Sequence, residues 1–356
     1  MVVIRDTVGP VARILGALAA VVFAACGDST TSPATTPPAE YAVVLNSVDR
    51  SLTAFPVDAP EDAFTLGLGP DGSPVSLAAR AGRVAVPMGS MPAVVVVDLA
   101  ARRITHTIAL PEGSGATGVA FLNDSIAVVA NSGLNTVHAI NVVRGTRVQE
   151  VAVGVFPQAV VAVSDTAYVV NARLGPDFLP AGPGTISVLT GAPLQVVRTI
   201  ELTGENPGDA APGAGGRLFV LFSGSFGAAN GAVSVIDRGT LAETSHHGGF
   251  GEFPGSVEAG PDGRLYVSSF AYGIAVWDPA GDTFVRPPEN AVAPGGTPST
   301  AGLGFDSKGR LYALEPVCTG AGRALRLAAG TFAVEAEVQV GTCPIAIAFT
   351  EVAADS

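Results

Sequence analysis

The chain has 356 residues, of which 48% are hydrophobic and only 14% charged, with 44 glycines and 27 prolines. That composition fits short strands joined by tight turns, and beyond the N-terminus no long stretch carries a helical period. A formal net charge of -12 at pH 7 and a single lysine, Lys308, argue against a nucleic-acid partner, because proteins that bind phosphate backbones carry basic stripes.

In chain order, residues 1–25 are expected to be an export signal. Arg5 and Arg13 lead into the apolar run 14–25, whose twelve residues fall short of the roughly 20 that a spanning helix needs. The run closes as Phe23-Ala24-Ala25-Cys26-Gly27, which resembles the lipobox of bacterial lipoproteins. The resemblance implies cleavage before Cys26, lipidation of that cysteine, and a protein held in the bacterial cell envelope by its lipid anchor alone, periplasmic or at the cell surface. The alternative is an ordinary secretory peptide with Cys26 merely nearby. Residues 26–40 then read as a tether, since the Ser/Thr/Pro-rich tract GDSTTSPATTPPAE is too polar to bury a core.

A repeat organises the rest. Pro74, Pro157, Pro207, Pro254, Pro298 and Pro344 recur with Ala116 filling the one gap, a spacing of about 45 residues. That is the size of one four-stranded propeller blade. Length alone would permit two domains, but the even repeat argues for one closed domain over residues 41–351, followed by a tail at 352–356. With the strands of a blade lettered a to d from the axis outward, strand b is expected to end at Asn46, Pro87, Asn131, Asn171, Phe222, Ser269 and Glu315. Strand c is expected to end at Asp58, Asp98, Asn141, Thr190, Asp237, Asp278 and Ala328, mostly residues that make side-chain turns. Tyr41–Asn46 opens the ordered chain as a strand b without an inner partner, and Ile345–Phe349 is left over at the other end. The expected fold is therefore an all-β, seven-bladed β-propeller whose last strand closes the first blade. The prolines are expected to begin strand a, where a missing N–H is tolerated.

Tyr168-Val169-Val170-Asn171 and the stretch from Asn131 through Asn135-Thr136-Val137-His138-Ala139-Ile140-Asn141 resemble the YVTN family of β-propeller repeats. Asp262-Gly263-Arg264-Leu265-Tyr266-Val267 and Ala275-Val276-Trp277-Asp278 are more similar to NHL or gluconolactonase-type blades. The resemblance covers about residues 41–351 and implies a fold, not an activity.

If Cys26 is acylated, Cys318 and Cys343 remain, an even number for an oxidising compartment. In an antiparallel blade the b–c turns and the d–a connections share one face. Cys318 follows strand b of the last blade and Cys343 sits in its d–a connection, so a disulfide is expected. A free reactive pair or a metal pair is the alternative.

Chemistry-bearing motifs are scarce. Residues 113–118 fit GxGxxG but lead into a strand, which removes the anion-binding geometry of a helix N-terminus. No catalytic residue and no cofactor is assigned. His106 and His138 fall within strands, and the adjacent pair His246 and His247 would point to opposite faces of one.

Insertions are the better pointer. Blade four is expected to carry a long b–c loop at Ala172–Gly184 and blade five another at Ser223–Gly231, with the d–a connections Gly204–Gly213 and Ser245–Phe253 on the same face. Long loops on one rim of a rigid scaffold carry binding. Arg173, Asp177, Phe178, Phe226, His246, Phe250, Glu252 and Phe253 form the candidate binding face for an envelope protein or a glycan; the alternative is that these side chains pack the loops onto the blades. The expected function is a monomeric, non-enzymatic binding scaffold. The second reading is a lactonase-like hydrolase with Ca²⁺ or another divalent cation at the channel mouth, held by the strand-b ends Asn46, Asn131, Asn171 and Glu315.

Overall fold

The computed structural model describes residues 37–225 and 227–353, so Cys26, most of its tether and Phe226 lie outside the described residues. Seven four-stranded antiparallel sheets are arranged as a seven-bladed β-propeller. The first blade is built from both ends of the domain: Pro344–Val352 is its inner strand and pairs antiparallel with Ala39–Asn46, from Ala39 opposite Val352 to Asn46 opposite Pro344. The six further inner strands are Ala78–Arg80, Ala116–Phe121, Pro157–Val163, Pro207–Pro212, Pro254–Ala259 and Leu303–Phe305.

Strands b end where the sequence pattern puts them, at Asn46, Pro87, Asn131, Asn171, Phe222, Ser269 and Glu315. Their runs of Val, Ala, Leu and Tyr need no polar alternation, because each middle strand is covered on both faces by neighbouring blades. Successive residues serve successive interfaces. Val43 and Leu45 pack with Val84, Val86, Val95 and Val97 of blade two, whereas Ala42 and Val44 pack with Tyr312, Leu314 and Val338 of blade seven. Seven such apolar clusters fill the seven junctions, so the core is a ring of interfaces rather than one central mass.

Prolines begin the inner strands of blades one, four, five and six, and Ala116 begins that of blade three. Pro74 and Pro298 instead stand four and five residues ahead of their short strands, a correction to the uniform placement. The residue before the inner strand is left-handed in five blades: Gly115 (φ 53°), Phe156 (56°), Asn206 (54°), Phe253 (47°) and Cys343 (58°). Proline disfavours the right-handed helical region for its predecessor. Recurrence around the ring identifies this as the device that turns the chain inward, not as local strain at a site.

The junction of blades one and seven is fastened at both rims. On one, Cys318 and Cys343 are disulfide-bonded, the Asn46 Oδ1 accepts the Gly341 N–H (3.0 Å), and Asp49 accepts that of Thr342 (2.5 Å). On the other, Asp58 holds Lys308 (2.6 Å) and Arg310 (2.9 Å), and Glu40 accepts the Ser307 N–H (2.8 Å) and hydroxyl (2.6 Å). Lys308 and Arg310 keep the Asp58 carboxyl below its ordinary pKa.

Candidate functional site

Two places combine exposure or volume with chemistry: the rim carrying the b–c and d–a loops, and the axis. On the rim, the b–c loop of blade four runs between Asn171 and Pro183 and that of blade five between Phe222 and Ala232, as the sequence pattern expects. The d–a connection of blade four is much shorter than Gly204–Gly213. Its outer strand continues to Glu205 and the inner strand begins at Pro207, leaving Asn206 alone as the turn. Residues 207–212 are therefore channel wall rather than rim loop.

The candidate rim residues separate accordingly. Phe178 is 70% exposed, and its ring meets Phe156 edge-on at 5.9 Å, so the loop tip is stacked over the entrance of the inner strand. Asp177 accepts the Leu179 N–H (3.2 Å) and shapes that tip. Arg173 is left-handed, with its guanidinium on the Pro183 carbonyl (3.4 Å). Glu252 is half-buried and Phe253 supplies the inward turn.

Phe250 leaves the candidate set, because its side chain is fully buried between Trp277 (5.8 Å) and Phe284 (4.9 Å). His246 belongs to the outer strand Ala242–Gly248 rather than a loop; its ring meets that of Phe222 edge-on (5.2 Å), and its Nδ1 meets the Ser234 hydroxyl (2.8 Å). Burial keeps it below the usual histidine pKa. His247 points the other way, onto Trp277 (4.8 Å) and Asp282 (2.8 Å). The two rings face different blade junctions, as alternation on a strand requires.

The amide nitrogens at the strand-b ends are engaged within their own blades. Asn46 donates to Ser51 and Thr53 (both 3.0 Å), and Asn171 to Thr185 (3.0 Å) and Ser187 (3.1 Å). Asn131 donates to Thr136 (3.0 Å) and meets the His138 Nδ1 (2.8 Å). Each amide thus clamps strand b to strand c inside its own blade. Glu315 accepts Thr297 (2.6 Å) and pairs with Arg323, which holds its carboxyl below the ordinary range. Among the described residues, no three His, Cys, Asp or Glu side chains come together as a metal site.

The axis holds what the sequence reading missed. The inner strands of six blades, with the segment just ahead of that of blade two, line a cavity of about 540 Å³ whose wall carries aliphatic side chains together with Ser76, Thr117, Phe156, Gln158, Ser256, Asp209 and Glu258. Asp209 accepts the Ala210 N–H (2.9 Å) and the Val257 N–H (3.0 Å), with a further hydrogen bond from Ser256. These are inner-edge donors that no further strand exists to pair. Burial nevertheless raises its pKa to about 6, the hydrogen bonds offsetting only part of that. Burial first, and the Asp209 charge second, push Glu258 up to about 8. The signal was present: these acids stand two residues after Pro207 and four after Pro254, offsets that share one face of an inner strand.

No protein-family model matches the sequence, and no curated protein matches it. Solved structures do. Hydrazine synthase of Kuenenia stuttgartiensis is similar with a TM-score of 0.62 at 17% identity, over 77% of this chain and 89% of that one. A protein of Desulfotomaculum acetoxidans titled as functionally unknown gives 0.61 at 14% identity, covering 88% and 99%. U3-55K gives 0.60 at 13% identity, covering 85% and 91%. At such identities the likeness concerns the fold alone.

Proposed function

We propose that this seven-bladed propeller is a lipid-anchored, extracytoplasmic scaffold that binds a protein partner through the rim of its b–c and d–a loops. One observation carries the reading. Of the twelve large hydrophobic side chains exposed among the described residues, six lie on that rim: Val48, Val75, Val155, Phe178, Leu179 and Phe270. Five of the others are spread over outer strands, and Val143 is the one at the opposite rim. Scattered exposed apolar groups need no explanation, but a concentration on one face of a rigid ring marks an interaction surface. The lipobox-like residues ending in Cys26 and the polar tract after them support a membrane-tethered placement, and the disulfide fits an oxidising compartment.

The test has two arms in the native host. Cys26→Ser should move the protein from the membrane fraction to the soluble fraction. A photo-crosslinking residue at Phe178 should capture one discrete partner that the same residue at the outer-strand position Val285 does not, and Leu179→Ser should diminish that capture. Membrane retention of the Cys26→Ser protein refutes the anchor; equal capture at both positions refutes the rim.

A further inference from the structure

The axial cavity is a second place where a ligand would meet matched chemistry, and its two acids have different duties. Asp209 is occupied with the backbone edge of blade six. Glu258, on the neighbouring inner strand, is partly buried, lines the cavity, and has no hydrogen bond and no ion pair among the described residues. A carboxylate in such surroundings is disfavoured unless a positive charge arrives to compensate it.

The wall decides what sort of cation that is. Calcium takes six to eight oxygen ligands and magnesium an octahedron, typically with several carboxylates or waters. Here one carboxylate is already accepting backbone donors, and beside the polar side chains of Ser76, Thr117, Gln158 and Ser256 the wall carries Leu77, Val119, Val161, Leu303 and Ile347. An ammonium group needs few acceptors, and an apolar body attached to it would cover the aliphatic wall. At about 540 Å³ the cavity is of the size that small-molecule sites have. We propose that the axial cavity binds a small organic monocation, a primary amine with an apolar body, its ammonium on Glu258 and its body against the aliphatic wall.

The groups around Glu258 give this a pH signature. Asp209 faces it from blade five, Tyr266 stands opposite it in register with its hydroxyl on Asp262 (2.9 Å), and the inner strand Leu303–Phe305 on the other side has no ionisable side chain. Arg217, on strand b of blade five, is turned over the Phe219 ring. No cation of the protein therefore competes for the carboxylate. An ammonium must displace the carboxyl proton, so affinity should rise as pH rises toward about 8, by up to tenfold per pH unit, and then level off.

Titration calorimetry on the purified propeller with benzylammonium chloride tests the inference, with benzyl alcohol as the neutral isostere and calcium chloride as the divalent control. Benzylammonium should bind with one site, about tenfold or more tightly at pH 8 than at pH 6.5, and benzyl alcohol at least tenfold more weakly at pH 8. Glu258→Gln should lose at least tenfold in affinity together with the pH dependence. Equal binding of the alcohol, stoichiometric calcium binding that excludes the amine, or no heat from benzylammonium at millimolar concentration would each overturn it. The comparison of amine with alcohol uses the unmodified protein and stands even if the variant folds poorly.

Discussion

Replacing Glu258 with glutamine should change how stability depends on pH, and by an amount the cavity itself predicts. The carboxyl titrates at 4.5 when exposed and at about 8 in the folded protein. Between those values the folded chain keeps a proton that the unfolded chain has released, so stability falls as pH rises. At about 1.4 kcal/mol per unit, the loss from pH 5 to pH 7.5 is roughly 3 kcal/mol, an upper figure because water entering the cavity softens the penalty. Asp209, raised from 3.8 to about 6, acts in the same direction over a lower range. Asp58, Asp237 and Glu315 are lowered and act oppositely, losing stability as pH falls below about 4. Those contributions are common to both proteins and cancel in the difference. The single tryptophan, Trp277, is 2% exposed at the junction of blades five and six, so its fluorescence reports urea unfolding beside the site. The variant should match the parent near pH 5 and exceed it progressively up to pH 8. Parallel curves for the two proteins would refute the argument that Glu258 is held protonated by its surroundings.

The same picture predicts three further outcomes. Removing the residues after Thr342 deletes the inner strand of blade one and exposes both the edge of Ala39–Asn46 and the cluster around Ala42 and Val44, so the truncated domain should be insoluble or partly unfolded; a soluble product with an unchanged melting transition would contradict ring closure. Replacing Cys318 and Cys343 together with serine opens a loop spanning 25 residues and should cost roughly 3 kcal/mol, read as a lower melting temperature that reductant no longer affects. Phe250→Ser should destabilise by about 3 to 5 kcal/mol because it empties a fully buried site, whereas Phe178→Ser at the exposed tip should leave the melting temperature within a few degrees; similar effects from both would contradict their placement.

Architecture was legible because it is written repeatedly. Each blade repeats a β-rich run and most add an Asp or Asn turn after strand c and a left-handed inward turn, so the period, the count of seven and the pairing of the chain ends follow from aligning residues such as Asn46, Asn131 and Asn171. The face shared by Cys318 and Cys343 follows from strand alternation alone. Individual side chains were less legible. Phe178 and Phe250 look alike in sequence as aromatics in insertions, yet one is a solvent-exposed tip and the other fills the junction beside Trp277. Which of them is buried depends on the blade packed against the loop, and that neighbour is remote from the local sequence.

The chain by itself determined a ring of seven blades and its point of closure, since a short-period pattern of apolar strands has few ways to cover both faces of every sheet. Tertiary structure alone decided what the ring encloses. A single left-handed residue, Asn206, replaces what reads as a long connection and brings Asp209 onto the wall of the axis. Only the assembled inner strands then set Asp209 beside Glu258, because the proximity of two acids and their partial burial are properties of the closed ring and not of any segment within it.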